Sequence, residues 1–354
     1  MSLEVKKTNI RAWSMLGQRG TVFSRVMPEV AAKDENIRLL TADLSLLSGM
    51  DRFIRDYPEQ FLNVGIAEQN MIGIAAGLAM EGYRVFATTY ASFIAVRALE
   101  HVRQHLGHLR CDVKLIGTSG GVVASKSGIS HWATEDIAFI RAIPGIEIYS
   151  PADAVEAMKI VEYAATHEGP MYIRLTGSTD CPVVYKEDYD WKPGKNVVIR
   201  ELVSDAIENQ GLKTDSSTAS EMNQLKQASD PCKRISIMAT GLMVSTAVKS
   251  AEKLVEQGID AEVVDVNSIH PFDVDYIEGL CGRVEHVFTV EEHGVRGGLG
   301  GAVAEVISGL NGAPRLTRFG IDGFMDKLGS YEYVLEQQGL DVDGIVTSIL
   351  NVVD

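Results

Sequence analysis

Ala67–Thr88 reads AEQNMIGIAAGLAMEGYRVFAT, and this stretch joins the two patterns that decide the fold. Over Ala67–Met80 the apolar residues recur at helical spacing and form one broad face, so a helix is predicted there. Arg84–Thr88 is a short run typical of a strand, and it follows the helix after a brief turn. A helix that leads directly into a strand predicts an α/β fold, in which a mainly parallel sheet carries helices on its faces.

The same alternation of short β-rich runs and longer helical patterns extends on both sides of this stretch. Further strands are predicted at Ile37–Asp43, Asp112–Thr118, Ile146–Ser150 and Met171–Leu175, and further helices at Ser92–His105, Thr134–Ile143 and Pro151–His167. The last of these helices has proline in its first turn, where a helix tolerates it. The first half of the chain therefore predicts a doubly wound, mainly parallel sheet.

The alternation begins again after a polar gap. Strands are predicted at Ile235–Thr240, Ala261–Val266, His286–Glu291 and Arg315–Ile321, and helices near Ser245–Gln257, Asp273–Leu280 and Gly301–Ser308. We therefore expect two successive doubly wound α/β domains, at residues 1–187 and 235–354, joined by a linker at 188–234. Leu202–Arg234 has no aromatic residue and is rich in polar residues, so it predicts a mobile insertion with one short helix near Ser220–Gln227.

The composition argues against several classes of function. A formal net charge of −15 makes nucleic acid or an anionic membrane surface a poor partner, although local arginines can still bind a phosphorylated substrate. The four cysteines are scattered and have no metal-ligand spacing. The amino-terminal MSLEVKKTNIR lacks the apolar core of a signal peptide, and no apolar run reaches the length of a membrane span. A cytoplasmic enzyme or enzyme subunit is expected.

Glu68 is the first candidate for a functional residue. It stands in the first turn of the predicted helix Ala67–Met80, and its neighbours in sequence are unusually apolar. It is either a carboxylate that the helix dipole favours at this position, or a partly buried carboxylate that can share a proton with a ligand nitrogen. The pattern alone leaves both interpretations open.

Further candidates follow predicted strands, where side chains gather at the carboxyl edge of a parallel sheet. Tyr90–Phe93 (YASF) supplies either a ligand-binding aromatic surface or core packing. His131 ends the glycine- and serine-rich loop Ser119–His131, and it is a site residue or an exposed structural histidine. Arg174 can form bidentate hydrogen bonds with a phosphate, or it can make a surface ion pair. His293–Ala302 (HGVRGGLGGA) lacks the third glycine of the dinucleotide fingerprint, and close helix–strand packing explains it adequately.

Taken together, these segments resemble the carboxyl-terminal portion of the transketolase family, namely its pyrimidine-binding domain followed by its small C-terminal domain. The resemblance covers nearly the whole chain apart from residues 202–234, and it rests on the order and spacing of several segments. The segments are TADLS, NVGIAEQN, YASF, SHWATEDIAFIRAIPG, YIRLTG, MATGLMVSTA, VEEHGVRGGLGGAVAEV and LGSYEYVLEQQGL. The resemblance implies thiamine-diphosphate-dependent transfer of a two-carbon ketol unit between phosphorylated sugars.

The resemblance also implies roles for four residues at the cofactor. Glu68 matches the family glutamate that contacts N1′ of the aminopyrimidine ring and exchanges a proton with it. Phe93 matches an aromatic residue that stacks on that ring, and Tyr90 lies where related enzymes keep another aromatic residue. Asp43, in TADLS, matches an acidic residue near the cofactor.

Three residues are implied at the substrate. His131 matches a histidine beside the reacting carbon, and Arg174 matches an arginine that binds the sugar phosphate. Arg11, in NIRAWS, resembles a second phosphate-binding arginine. The chain departs from the family pattern at residues 127–129, which replace an acidic residue and a glycine-proline turn, and at residues 46–49, which replace a small-residue turn. These departures put the usual pentose-phosphate substrates and one phosphate contact in doubt.

The diphosphate- and metal-binding domain of the family has no counterpart in this sequence, which contains no GDG segment followed by Asn. Split members of the family encode the two halves as separate polypeptides. The resemblance therefore implies an N-terminal transketolase subunit as partner, with Mg²⁺ or Ca²⁺ held by that partner and not by this chain. It also implies self-association of this chain to a dimer.

Other activities share parts of this architecture. A β-type subunit of a 2-oxo-acid dehydrogenase has both domains and a similar glutamate, and a 1-deoxyxylulose-5-phosphate synthase begins with the same cofactor step. A non-catalytic dimerisation or regulatory subunit is a hypothesis of another class. The joint presence of Glu68, Phe93, His131 and Arg174 argues against that last hypothesis.

Overall fold

The structure, a computed structural model, describes residues 5–203, 233–325 and 327–353. These residues form two β-sheets, one of seven strands and one of five. The strands are β1 Ile37–Thr41, β2 Phe61–Asn63, β3 Arg84–Tyr90, β4 Val113–Thr118, β5 Glu147–Tyr149, β6 Met171–Arg174, β7 Val197–Arg200, β8 Lys233–Ala239, β9 Ile259–Asp265, β10 Ser268–His270, β11 His286–Gly294 and β12 Arg315–Ile321.

Helices connect these strands. The α-helices are α1 Ile10–Thr21, α2 Met27–Ala31, α3 Ser45–Ser48, α4 Asp51–Asp56, α5 Glu68–Met80, α6 Leu99–Val102, α7 Asp136–Arg141, α8 Ala154–Ala164, α9 Met243–Val255, α10 Val274–Glu278, α11 Leu299–Ile307, α12 Tyr331–Gln337 and α13 Val342–Val353. Short 3₁₀ segments lie at Lys7–Asn9, Pro58–Gln60 and Ser125–Ser127, and π-helical segments at Val22–Val26, Phe93–Arg97 and Arg103–His108. Among the described residues, none of these helices has the length and apolar character needed to cross a membrane.

The first sheet has the strand order β10-β5-β6-β4-β3-β1-β2, and its strands β1 to β6 run parallel. All residues of the central strand β4 are buried, as expected for a parallel strand covered on both faces. Because the strands are parallel, the segments that follow β1, β2, β3 and β4 all leave from the same edge. The predicted mainly parallel α/β architecture is confirmed.

The second sheet has the order β12-β11-β8-β9-β7, and β7 is its antiparallel strand. One strand also connects the two halves of the chain. Strand β10 belongs to the second half but pairs antiparallel with β5 of the first sheet, with Ser268 opposite Tyr149. The strand β7 lies within the predicted linker 188–234 and pairs with β9. The domain boundaries at 187/188 and 234/235 therefore stay predictions, and the predicted helix near 220–227 lies outside the described residues.

The helix predicted over Ala67–Met80 is confirmed as α5. Its buried face consists of Met71, Ile72, Ala75 and Ala76, which pack in the same hydrophobic cluster as residues of β3 and β4. The helix predicted over Ser92–His105 is instead interrupted, because π-helical turns at Phe93–Arg97 and Arg103–His108 flank the short α6. Such π-turns are frequent at functional sites.

Candidate functional site

The carboxyl edge of the first sheet begins with a hydrogen-bonded pair, Asp43 and Asn63. Asp43 follows β1 with a positive φ of 60°, a left-handed conformation that Asp adopts more readily than most residues. Asn63 Nδ2 donates to Asp43 Oδ1 at 3.1 Å, while Asn63 Oδ1 accepts from the backbone N–H groups of Asp43 (3.1 Å) and Gly65 (3.0 Å). Asn63, which the sequence interpretation missed, thus fixes the exposed Asp43 and the turn that leads into α5.

Glu68 begins α5 and is only 4% exposed. Its counterion is Arg97, whose Nη1 donates to Glu68 Oε1 at 2.7 Å. A buried carboxylate needs such a partner, and the amino-terminal end of the helix adds a favourable dipole. The two interpretations of Glu68 are therefore compatible, since it is both a helix-start charge and a buried, ion-paired group.

Arg97 also joins Glu68 to an aromatic cluster. Its guanidinium lies over the Phe93 ring, 3.9 Å from the ring centroid. This residue was not among the sequence-based candidates, although its spacing of four from Phe93 was a usable signal. Arg97 thus bridges a carboxylate and an aromatic ring.

Tyr90, Phe93 and His131 form that cluster. The ring centroids of Tyr90 and Phe93 are 5.4 Å apart, and each lies 5.3 Å from the His131 ring. Ser92 Oγ donates to the backbone oxygen of His131 at 3.3 Å, and Ser130 Oγ lies 2.9 Å from His131 Nδ1. The structure therefore brings the two aromatic residues and His131 together, and through Arg97 it brings Glu68 to them.

A cavity of about 390 Å³ opens beside this cluster. Phe93 and Arg97 line it on one side, and Ile129 and Ser130 come from the loop that carries His131. Phe324, from the second half of the chain, completes the wall. The candidate site is thus bounded by both halves of the protein.

Arg174, at the end of β6, contacts the segment that follows His131. Its side chain is fully buried. Nε donates to Asp136 Oδ2 at 2.8 Å, and Nη2 donates to the backbone oxygens of Ala133 (3.0 Å) and Glu292 (2.9 Å). The guanidinium thus connects the two halves of the chain. The surface ion pair that the pattern also allowed is wrong, because the ion pair with Asp136 is buried. The role of Arg174 at a substrate phosphate stays a prediction.

Arg11 is exposed in the first turn of α1, a helix that packs mainly against α8. Among the described residues, no hydrogen bond or ion pair joins it to the cluster around Glu68. Its predicted role at a substrate phosphate stays a prediction.

In the glycine-rich stretch His293–Ala302, backbone N–H groups bind a carboxylate of the protein itself. Glu291 accepts from the backbone N–H groups of Leu299 (2.7 Å) and Gly300 (2.8 Å) at the start of α11. Burial raises the pKa of Glu291 to about 7. The interpretation of this stretch as close helix–strand packing is therefore confirmed.

Comparison with known proteins assigns the chain to a family. The family model for the transketolase pyrimidine-binding domain matches residues 18–179, and the model for the transketolase C-terminal domain matches residues 226–345. A 6-deoxy-6-sulfo-D-fructose transketolase subunit of Clostridium sp. is 33% identical over 90% of this chain and 89% of its own length. The chain belongs to the transketolase family.

Two further similar proteins support the same family assignment. One of the subunits of an apulose-4-phosphate transketolase from Actinobacillus succinogenes is 33% identical over 88% of this chain and 91% of its own length. A solved structure described as a split-gene transketolase, in an inactive β4 tetramer, is 33% identical to this transketolase-family chain with a TM-score of 0.78. The match covers 95% of this chain and 97% of the chain in that structure.

Proposed function

We propose that this chain is the C-terminal subunit of a split transketolase, which transfers a two-carbon ketol unit between phosphorylated sugars with thiamine diphosphate. The observation that carries the proposal is the buried, ion-paired Glu68 beside Phe93, Tyr90 and His131. Family membership and the subunit names of similar proteins support it. The sugar itself is not assigned, since those relatives are named for two different sugars.

The residues of the cluster fit the aminopyrimidine part of the cofactor. A planar heterocycle needs an aromatic face to stack on, which Phe93 and Tyr90 supply, and a carboxyl group for its ring nitrogen, which Glu68 supplies. When bound, thiamine diphosphate supplies the carbon nucleophile that accepts and releases the ketol unit. Asp43, at the same edge of the sheet, is proposed to lie near this cofactor.

Glu68 is proposed to hold and exchange a proton at the ring nitrogen. Its burial strengthens such an interaction, because water does not compete for the carboxyl group. Arg97 engages Oε1 and fixes the orientation of the side chain, so that the carboxyl group is already placed when the cofactor binds. Arg97 is therefore a positioning residue in this proposal.

His131 is proposed to orient the sugar hydroxyls and exchange protons with them, a role suited to an imidazole at neutral pH. Its ring is already fixed by Ser130 and by the two aromatic neighbours. Arg11 and Arg174 remain the proposed ligands of the sugar phosphate.

A partner polypeptide is part of the proposal. Similar proteins are named as subunits, and one solved relative is described as a split-gene transketolase in an inactive β4 tetramer. We propose that a separate N-terminal subunit holds the diphosphate with Mg²⁺ or Ca²⁺, and that two copies of this chain form the centre of the assembly. Among the described residues, no group of three or more His, Cys, Asp or Glu side chains could hold a metal ion.

Substitution of Glu68 tests the function directly. In the reconstituted complex we expect Glu68→Gln to lower ketol transfer at least ~100-fold, the usual size of a general acid–base contribution, because the amide cannot exchange the proton. Thermal unfolding of the free chain checks that the variant folds. Glu81→Gln is the matched control, since Glu81 is exposed at the other end of α5.

Turnover in Glu68→Gln within a few-fold of the unsubstituted complex would contradict the proposal. The donor assay uses a ketose phosphate and pyruvate in parallel. Turnover with pyruvate alone would instead indicate a 2-oxo-acid dehydrogenase component or a 1-deoxyxylulose-5-phosphate synthase.

A further inference from the structure

The loop that carries His131 is closed at its base. We call residues 121–133 the His131 loop. Gly121 N donates to Ala133 O at 3.0 Å, and Ala133 N donates to Gly121 O at 2.8 Å, so the two ends lie side by side. Near the tip, His131 N donates to Gly128 O at 2.9 Å. The position of His131 therefore depends on how these two ends are held.

Both ends are held by one residue of the second half, Glu292 on β11. At the start of the loop, Val122 N donates to Glu292 Oε1 at 2.7 Å. At its end, Arg174 Nη2 donates to Ala133 O and also to the backbone oxygen of Glu292. The side chain of Glu292 thus fixes the first end, and its main chain fixes the second end through Arg174.

Tyr331 fixes Glu292 in turn. Its hydroxyl donates to Glu292 Oε2 at 2.6 Å from the first residue of α12. Burial raises the pKa of the Tyr331 hydroxyl, which stays a donor, and burial raises the pKa of Glu292 to about 7. Above neutral pH both oxygens of the Glu292 carboxylate therefore accept a hydrogen bond, one from the loop and one from α12.

The packing around Glu292 is tight. A Cβ atom at Gly121 would lie 2.4 Å from Glu292 Oε1, and Gly121 has a φ of +68°, so only glycine fits there without displacement. The tip of the loop also contacts the second half, because a Cβ atom at Gly128 would lie 3.0 Å from Leu328 Cδ1. The second half of the chain thus contacts the loop at its base and at its tip.

We propose that Glu292 and Tyr331 are positioning residues for His131, and that the second domain acts in the reaction by holding the His131 loop in place. The proposal rests on the proposed function, because it assumes that His131 acts on the substrate. It gives the second domain a role at the site without requiring any of its residues to touch the reacting atoms.

The first experiment follows the loop itself by hydrogen–deuterium exchange of the complex at about pH 8, above the pKa of Glu292. Tyr331→Phe removes the hydroxyl and keeps the ring. We expect the amides of residues 121–133 to exchange about tenfold faster, since a hydrogen bond to a charged group is worth roughly that factor. Tyr333→Phe is the matched control, because Tyr333 lies on the same helix and its ring packs near Gly329.

The second experiment measures kcat/KM in a double-mutant cycle with His131→Ala. If Tyr331 acts through His131, Tyr331→Phe lowers kcat/KM by about three- to tenfold alone and causes no further loss in the His131→Ala background. Affinity for thiamine diphosphate should be unchanged in Tyr331→Phe. Glu292→Gln should restore much of the activity lost in Glu292→Ala, because its amide keeps an acceptor for Val122 N.

The outcomes separate this proposal from the proposed function. Unchanged exchange in the His131 loop of Tyr331→Phe would overturn the anchoring, whatever the kinetics show. An equal loss of kcat/KM in both backgrounds would show general damage rather than positioning. If His131→Ala leaves turnover unchanged while the loop exchanges faster in Tyr331→Phe, the anchoring stands and the assigned role of His131 fails.

Discussion

Glu68 and Arg97 form a pair whose members differ in their contact with solvent. Glu68 is 4% exposed, whereas the Arg97 side chain is 48% exposed. Arg97 therefore loses little hydration when it pairs, while Glu68 would be left as a buried charge without it. The cost of separating the pair thus falls mainly on the carboxylate.

Arg97→Met tests this asymmetry. The substitution keeps apolar contact with Phe93 but removes the charge, so we expect the free energy of unfolding to fall by about 1 kcal/mol, reduced from a buried pair because Arg97 is half exposed. Urea unfolding measures the change. Arg103→Met is the control, since Arg103 and Glu100 form an ion pair in which both side chains are largely exposed. It should leave the free energy of unfolding nearly unchanged, because exposed ion pairs contribute little. Equal losses in the two variants would argue against the asymmetry.

The sequence allowed part of this site to be predicted. Tyr90 ends the strand β3 and Phe93 follows it, while Glu68 begins the helix that follows β2. The parallel sheet therefore brings all three to one edge. Arg174 also ends a strand, yet its surroundings depend on Asp136 and Glu292, the second of which is 118 residues away. No local pattern carries that information, which is why the sequence did not predict that Arg174 is buried.

Glu291 and the start of α11 form one structural element. The carboxylate of Glu291 accepts from Leu299 N and Gly300 N, as an acidic group at a helix start does in many proteins. Gly298 must make room for it, because a Cβ atom there would lie 2.0 Å from Glu291 Oε2. The glycines of this stretch therefore serve the packing of α11 on β11.

Two glycine-to-alanine substitutions in this element should affect the free energy of unfolding differently. Gly298→Ala forces the added methyl group against a fixed carboxylate, so we expect a loss of about 1–3 kcal/mol in the free energy of unfolding. Gly301→Ala, three residues later and inside α11, meets its nearest atom, Arg141 Nη1, at 3.8 Å. It should be neutral or stabilising by up to ~1 kcal/mol, because alanine favours a helix. Thermal unfolding of both variants checks the prediction, which fails if Gly298→Ala is the more stable.

Some of the elements that were not predicted are short and have little local signal, whereas α1 and α13 were missed although each has twelve residues. β2 and β10 have three residues each, and β10 exists as a strand only because β5 offers it an edge to pair with. The interruption of the helix predicted at Ser92–His105 is likewise a tertiary feature, since helical periodicity does not distinguish an α-turn from a π-turn. The helix α5 was predicted within a residue of its bounds, whereas the predicted bounds of α8 were three residues too wide at each end.

At the scale of the whole molecule, the two halves share buried polar groups as well as strands. Glu156 on α8 and Asp265 at the end of β9 are fully buried, and they accept from the hydroxyls of Tyr189 (2.9 Å) and Tyr185 (2.6 Å). Burial raises the pKa of both carboxyl groups, so the pair retains a proton that two exposed carboxylates would lose. Such groups tolerate little change in their surroundings, which favours a fixed arrangement of the halves.

Two exposed apolar side chains lie at the carboxyl edge of the first sheet, where the proposed partner would bind. Leu46 (82% exposed) and Ile66 (76% exposed) follow β1 and β2, at the carboxyl edge beside Asp43 and Glu68. Exposed apolar side chains that form a patch are a common feature of surfaces covered by another chain. We propose that the N-terminal subunit, or the second copy of this chain, covers that surface.

Leu46→Lys and Ile66→Lys test this proposal, because each puts a charge on the proposed interface. In the isolated chain both positions are exposed to solvent, so the lysine is tolerated there. We expect thermal unfolding of the free chain to change little, and association with the partner to weaken by at least ~10-fold, as for a central interface residue. Calorimetry of the mixture would then show a matching loss of thiamine diphosphate binding. Met80→Lys is the control, since Met80 is 61% exposed at the far end of α5, away from the carboxyl edge. If all three variants assemble and bind cofactor like the unsubstituted chain, the covering surface must lie elsewhere on the molecule.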